Sequence, residues 1–120
     1  KYDADIACLI EEVDDPSQYG VVSGEFLEKG VIDIKKIVEK PKKPKSKYAI
    51  IAIYIFQPTI FKYLEKVRKN SSPQNQLSDA FNLALKNGDK MIGVVLRKNE
   101  KRIDIGTPET YSKILVSLKK

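Results

Sequence analysis

The nine residues YAIIAIYIF, from Tyr48 to Phe56, form the most apolar run of the chain. They are rich in β-branched and aromatic side chains and lie between turn-forming residues, which favours a strand over a short helix. A run that is apolar at nearly every position, rather than at every second one, is typical of a strand inside a covered sheet. We therefore predict a central, buried strand at residues 48–56.

The segments on both sides of this run have strand and helix patterns. Residues 4–13 predict a strand, and residues 19–38 alternate as a hairpin that turns at Glu28-Lys29-Gly30. Further along the chain, helices are predicted at residues 59–69, 77–85 and 108–118, and strands at residues 91–96 and 102–105. This order predicts an α/β fold, a mixed sheet with flanking helices, within one domain.

The composition excludes several kinds of chemistry. The 120 residues include no His, so a Ser-His-Asp triad, an imidazole base and a His-ligated zinc are ruled out. The single cysteine, Cys8, permits neither an internal disulfide nor a CxxC metal site, and we therefore expect a reducing, cytoplasmic location. Carboxylate, lysine and backbone chemistry remain.

The chain is basic, with a formal net charge of +6. Only three of its 22 basic residues are arginines, whereas proteins that recognise DNA favour the planar arginine fork, so nucleic acid is an unlikely partner. No apolar run approaches the roughly 20 residues that span a membrane, and the first residues lack the order of a signal peptide. A strand pattern that starts at residue 4 suggests that an upstream part of the fold is missing. The alternative is a small domain that simply begins with a strand.

Glu39-Lys40-Pro41 stands where a predicted strand runs into the basic loop PKKPKSK, residues 41–47. Side chains at the end of a strand can reach a ligand at the edge of the sheet. A lysine there neutralises a phosphate, and a glutamate accepts hydrogen bonds from sugar hydroxyls. The alternative is a solvated charge pair in front of an extended loop.

Two further positions carry weaker signals. Asp104 precedes Gly106, and the following Thr107-Pro108-Glu109 has the pattern of a helix N-cap, N1 and first-turn acid. An aspartate in this place suits Mg²⁺, which takes one or two protein carboxylates together with phosphate oxygens, but it also suits a simple turn. In Tyr19-Gly20 the glycine permits either a close approach to a ligand or a turn.

Five stretches follow one another in an order that is far more specific than any one of them: DDPSQYGVV, IVEKPKKP, YAIIAIYIF, QLSDAF and DIGTPETY. Together they resemble the second half of the sugar-1-phosphate nucleotidylyltransferases. That family includes the glucose-1-phosphate thymidylyltransferases and uridylyltransferases. The resemblance covers about residues 4–114 and implies the carboxy-terminal portion of a Rossmann-like nucleotidyltransferase fold, with residues 1–120 as its sugar-phosphate-binding part.

The resemblance also implies roles for single residues. Lys40 would contact the sugar phosphate and Glu39 the sugar hydroxyls, while Tyr19-Gly20 would offer backbone to the sugar and Ile50 would line the strand beneath it. Asp104 would be one of two Mg²⁺ ligands, which makes Lys40 and Asp104 the implied catalytic residues and Mg²⁺ the implied cofactor.

The chain departs from the family pattern in several places. Ile51-Ala52 replaces a smaller pair, Gln74 stands where many members have a carboxylate, and Arg102 replaces an aromatic residue of some members. The Gly-rich loop of the form G-G-x-G-T-R-L-x-P, which wraps nucleotide phosphates in the family, does not occur in residues 1–120. We therefore expect the amino-terminal nucleotide-binding part, with the second Mg²⁺ aspartate, to be absent.

The implied reaction couples a sugar-1-phosphate to a nucleoside triphosphate and gives an NDP-sugar and pyrophosphate. We expect the fragment alone to be inactive. The alternatives are a non-catalytic sugar-phosphate-binding or regulatory module and a basic nucleic-acid-binding domain that uses residues 40–47. Because apolar strands would be exposed, we also expect a homo-oligomer or an association with the missing amino-terminal part.

Overall fold

The computed structural model describes residues 1–119 as a mixed α/β fold. A short 3₁₀ turn at Pro16–Gln18 lies between the first two strands, and Asp15 caps it by accepting from the Ser17 N–H. The strands are β1 (Ile6–Glu12), β2 (Gly20–Glu28), β3 (Val31–Glu39), β4 (Tyr48–Phe56) and β5 (Met91–Val95), and the helices are α1 (Ile60–Val67), α2 (Gln76–Lys86) and α3 (Pro108–Leu118).

The five strands form one mixed sheet that closes on itself in the order β1-β4-β2-β3-β5. β5 runs parallel to β1 and antiparallel to β3, and the other neighbours are antiparallel. The contact between β2 and β4 is the weakest, a single pair of Val21 with Ala49. The predicted mixed sheet with flanking helices is confirmed.

β2 and β3 form the predicted hairpin, and its turn uses Gly30 at a φ of 81°, a left-handed conformation that glycine adopts without steric cost. At the bulge beside Ser23, β3 approaches Gly24 so closely that a Cβ there would lie 2.0 Å from the Asp33 carbonyl oxygen. A side chain at residue 24 is therefore incompatible with this pairing.

The core lies between the sheet and the pair α1 and α2. Each helix buries its apolar face, as expected for amphipathic helices that cover a sheet. Asn87 ends α2, and Gly88 follows it at a φ of 93°, as the sequence predicted. The largest of the fully buried side chains are Ile10, Val22, Ile34, Ile37, Ile60, Phe81 and Met91.

β4 has the predicted bounds and lies between β1 and β2, but only its first half is buried. Ala49 and Ile51 are in the interior, whereas Ile53 is 59% and Ile55 77% exposed. Between Cys8 and Leu9 of β1 the pairing is irregular, and β4 carries two extra residues there. The prediction of a buried strand is therefore right for the first half of β4 and wrong for the second.

The predicted strand at residues 102–105 is absent from the described chain, and these residues form no ladder. β5, the strand before them, is already paired on both sides, by β1 and β3, so it offers no free edge. Ile103 and Ile105 are consequently about 60% exposed, at 59% and 61%. α3 then begins at Pro108 as predicted, capped by Thr107, which forms a capping box with Thr110. None of the helices within residues 1–119 is long and apolar enough to cross a membrane.

Candidate functional site

The open end of the β2–β3 hairpin brings four of the predicted site residues together. Gly20 is the register partner of Glu39, so the two lie side by side across the ladder. The Lys40 N–H donates to the Tyr19 carbonyl oxygen at 2.9 Å, which extends the pairing by one residue on each strand. Residues that are about 20 positions apart in the sequence therefore form one corner, which we call the hairpin corner (Tyr19, Gly20, Glu39 and Lys40).

Lys40 ends its strand in an uncommon backbone conformation. Its φ is +42°, in the left-handed region that costs a non-glycine residue about 1 kcal/mol or more. The residue is exposed, and the turn directs the chain from β3 into the basic loop at residues 41–47. Strain of this kind is often found at ligand sites, and here it occurs at the lysine that the sequence singled out.

A side chain at residue 20 would crowd the Glu39 carboxylate. A Cβ at residue 20 would lie 3.0 Å from Glu39 Oε2 and 3.9 Å from Ile37 Cγ2. The glycine thus keeps the face of the sheet next to the carboxylate open. Such a glycine allows backbone to approach a ligand closely, which is one of the two roles that the sequence left open for Gly20.

Helix α2 holds the end of β3 through two polar side chains one turn apart. The Ser78 hydroxyl donates to Glu39 Oε2 at 2.9 Å. The Asn82 amide accepts from the Ile37 N–H at 2.9 Å and donates to the Ile37 carbonyl at 2.7 Å. The sequence analysis did not predict these contacts of Ser78 and Asn82. The pattern that could have indicated them is a pair of polar residues at positions i and i+4 on the otherwise apolar face of a helix.

Tyr54 of β4 provides a further neighbour of the Glu39 carboxylate. Burial raises the pKa of the Tyr54 phenol to about 12, and the charges of Cys8 and Glu39 act in the same direction. Its ring lies 5.3 Å from the ring of Phe81 on α2, centroid to centroid. Because its pKa is raised, the phenol stays protonated throughout the physiological pH range.

Asp104 belongs to a second group of charges. Arg102 donates from Nε to Glu11 Oε2 at 2.7 Å and from Nη1 to Asp104 Oδ2 at 3.3 Å. The hydrogen bond with Glu11 raises the pKa of the Arg102 guanidinium, and the Tyr19 hydroxyl adds to the same effect. Arg102 thus connects Asp104 with Glu11 at the end of β1.

The surroundings of Asp104 are open. Its side chain is 69% exposed. Residues 1–119 contain no group of three or more Cys, Asp or Glu side chains arranged to hold a metal ion. Asp104 still fits Mg²⁺ as a single carboxylate ligand, because this ion is commonly held by one or two carboxylates together with substrate phosphates.

The remaining predicted positions lie outside the hairpin corner. Ile50 faces Ile10 across the β1–β4 ladder and packs, half-buried, against the core, so its contact with a sugar stays a prediction. Ile51 is 5% exposed and points into the interior. Gln74 is exposed in the segment between α1 and α2.

Comparison with known proteins covers the whole chain. The family model described as "Nucleotidyl transferase" matches residues 1–120. A Bacillus subtilis protein provisionally named a UTP–glucose-1-phosphate uridylyltransferase is 38% identical over 122 residues, which are 100% of this chain and 44% of that protein. The UTP–glucose-1-phosphate uridylyltransferase AglF of Haloferax volcanii is 34% identical over 109 residues, 88% of this chain and 42% of that protein.

Solved structures agree with these matches. A UDP-glucose pyrophosphorylase complexed with UDP-glucose superposes with a TM-score of 0.78 at 33% identity, over 96% of this chain and 45% of the other. The apo form of a UDP-glucose pyrophosphorylase gives a TM-score of 0.81 at 34% identity, and the match covers 96% of this chain and 44% of the other. The chain thus spans less than half the length of these relatives, and the predicted portion of a Rossmann-like nucleotidyltransferase fold is confirmed. The chain belongs to the nucleotidyl transferase family.

Proposed function

We propose that residues 1–120 form the sugar-phosphate-binding part of a nucleotidylyltransferase that couples a sugar-1-phosphate to a nucleoside triphosphate. The products are an NDP-sugar and pyrophosphate. The names of the relatives support glucose-1-phosphate as the sugar substrate and UTP as the nucleotide. A phosphate oxygen of the sugar-1-phosphate attacks the α-phosphorus of the triphosphate, and the bond to pyrophosphate breaks.

The observation that carries the proposal is the pairing of Gly20 with Glu39, with Lys40 held next to Tyr19. It gathers an open backbone edge, a carboxylate and an exposed ammonium group within one corner. A sugar phosphate offers the complementary groups, namely hydroxyl donors and a phosphate anion. The Ser78 hydroxyl keeps the Glu39 carboxylate turned toward this corner.

The roles of the residues follow from the chemistry of the transfer. The attacking phosphate oxygen is already anionic, so neither a side-chain nucleophile nor a histidine base is needed, in agreement with a chain that has no His. Lys40 binds and neutralises the sugar phosphate, while Glu39 accepts from the ring hydroxyls and fixes the orientation of the sugar. Alignment and charge neutralisation then supply the rate increase.

Asp104 is the residue of this chain that would hold Mg²⁺, together with phosphate oxygens of the substrates. When bound, the ion neutralises charge on the reacting phosphates. Arg102 binds Oδ2 of Asp104 and thereby fixes the carboxylate in place. We also keep the cytoplasm as the expected location, because Cys8 is a free, buried thiol, as suits a reducing compartment.

A binding measurement tests the proposal. We expect calorimetry to detect glucose-1-phosphate binding to the 120-residue chain, and Lys40→Ala to weaken it about tenfold or more, the scale of one charge-assisted hydrogen bond. Lys62→Ala removes an exposed lysine of α1 and serves as the matched control. Equal affinities for the wild type and Lys40→Ala would refute the assignment of the hairpin corner.

We further propose that the chain alone has no transferase activity. Residues 1–120 hold the sugar-phosphate corner and one carboxylate for Mg²⁺ but no Gly-rich loop for nucleotide phosphates. The assay is pyrophosphate release from UTP and glucose-1-phosphate in the presence of Mg²⁺. Turnover by the purified 120 residues would overturn this part of the proposal. It would not affect the assignment of the hairpin corner, which the calorimetry with Lys40→Ala tests separately.

A further inference from the structure

A pocket lies on the face of the β2–β3 hairpin opposite to Glu39, under the basic loop at residues 41–47. Its volume is about 190 Å³. Val21 and Val38 of the hairpin and Pro41 of the loop form its apolar walls. Lys36 of the hairpin and Lys43 and Lys45 of the loop line the same cavity, so two parts of the chain contribute basic residues to it. We call it the lysine pocket.

The loop over the lysine pocket is attached to the hairpin. The Ser46 hydroxyl donates to the Val22 carbonyl oxygen and accepts from the Tyr48 N–H at 3.3 Å. Two prolines, Pro41 and Pro44, restrict the backbone between the hairpin and this anchor. The loop is therefore held against the hairpin by its own residues.

The lysine pocket is separate from the hairpin corner. Neighbouring residues of a strand face opposite sides of the sheet. Glu39 and its partner Gly20 face α2, where Ser78 binds the carboxylate, whereas Val38 and its partner Val21 face the other side, toward the loop. A ligand in the lysine pocket would thus not contact Glu39.

The lysine pocket has a basic lining, and none of the residues that line it is acidic. In the described part of the chain, the ion pairs involve Lys1, Lys35 and Arg102, but not Lys36, Lys43 or Lys45. Three like charges around one cavity repel one another, and an anion between them relieves that repulsion.

We propose that the lysine pocket binds a small anion of the phosphate class, such as inorganic pyrophosphate. The cavity is smaller than the roughly 300–1,000 Å³ of pockets for drug-sized ligands, which favours a compact ion. Its three lysines line one small concavity. Proteins that bind a nucleic-acid backbone use an extended basic track instead. The site goes beyond the proposed transfer reaction and does not depend on it.

Calorimetry with sodium pyrophosphate, at constant pH and ionic strength and without Mg²⁺, tests the proposal. The double variant Lys43→Gln/Lys45→Gln should bind pyrophosphate at least about tenfold more weakly than the wild type. The control Lys62→Gln/Lys66→Gln on α1 loses the same charge and should stay within about twofold, because both of its lysines lie outside the pocket. Far-UV circular dichroism verifies that both variants are folded.

Two further arms separate the lysine pocket from other sites. Lys43→Gln/Lys45→Gln should leave the affinity for glucose-1-phosphate unchanged, so that failure of the hairpin corner and failure of the pocket are distinguishable. Pyrophosphate should also shift the backbone amide signals of Ser23 and Lys36, which form a cross-strand pair at the pocket.

Three outcomes would overturn the proposal. The first is the absence of pyrophosphate binding to the wild type at millimolar concentration. The second is an equal loss of affinity in the two double variants, which would mean general attraction to a basic surface. The third is salt-sensitive binding of duplex DNA through Lys43 and Lys45 without pyrophosphate binding, which would favour a nucleic-acid site.

Discussion

Asn82 joins helix α2 to Ile37, near the end of β3 that leads into the hairpin corner. Removal of the Asn82 amide tests how that corner is held in place. In the native chain its side chain accepts from the Ile37 N–H at 2.9 Å and donates to the Ile37 carbonyl at 2.7 Å. Asn82→Ala deletes both partners at once. Ile37 is only 2% exposed, so its backbone groups are poorly placed to bind water instead.

The size of the effect follows from these two hydrogen bonds. A buried polar group that loses its partner costs about 1–3 kcal/mol, and water that reaches part of the site reduces the cost. For two backbone groups we expect the free energy of unfolding to fall by about 2–4 kcal/mol. With a urea m-value of about 2 kcal/mol/M, the midpoint should move down by about 1–2 M.

Urea unfolding followed by circular dichroism provides the assay, since a single domain of this size is commonly two-state. Asn99→Ala is the matched control, because Asn99 is exposed in the turn after β5 and its loss should change the free energy of unfolding by less than about 0.5 kcal/mol. A loss below about 0.5 kcal/mol for Asn82→Ala as well would refute the role assigned to this contact.

Three further predictions concern stability and association. Gly24→Ala should lower the free energy of unfolding by about 2 kcal/mol or more in urea titrations, because its Cβ would lie 2.0 Å from the Asp33 carbonyl oxygen. Gly106→Ala is the control and should be nearly neutral, because the nearest atom to its Cβ would lie 3.5 Å away. Burial raises the pKa of the Cys8 thiol from 9.0 to about 12, so the unfolded chain loses this proton first. Stability should therefore fall as pH rises from about 9 to about 12, and an unchanged slope in Cys8→Ala would contradict this reasoning. Ile55 is 77% exposed, and Ile55→Lys should raise the monomer fraction in sedimentation velocity; a monomeric wild type would disprove the expected self-association.

The elements whose signals are local were predictable from the sequence. The run at residues 48–56 coincides with β4, and Gly30 and Gly88 take the left-handed conformations that a tight turn and a helix end require. Thr107 caps α3 as its position before Pro108 indicates. In each case a few consecutive residues determine the local conformation, so the sequence pattern was sufficient to predict it.

Features that depend on distant partners were not predictable. The exposure of Ile55 depends on what covers β4, which an apolar run cannot reveal. Residues 102–105 have a strand-like pattern, but a strand also needs a neighbour with free backbone groups. Ser78 and Asn82 reach β3 across 39 and 45 positions of the sequence, so no local pattern indicates their partners.

Amide NMR shifts on addition of glucose-1-phosphate test most directly whether the hairpin corner is the sugar-phosphate site. The largest shifts should fall on Gly20, Glu39 and Lys40, which lie together in the structure. Residues at the opposite end of the same hairpin, Lys29 and Gly30, should stay unchanged and serve as the internal control. Shifts that avoid the corner, or that spread evenly over the lysines of the surface, would contradict the assignment.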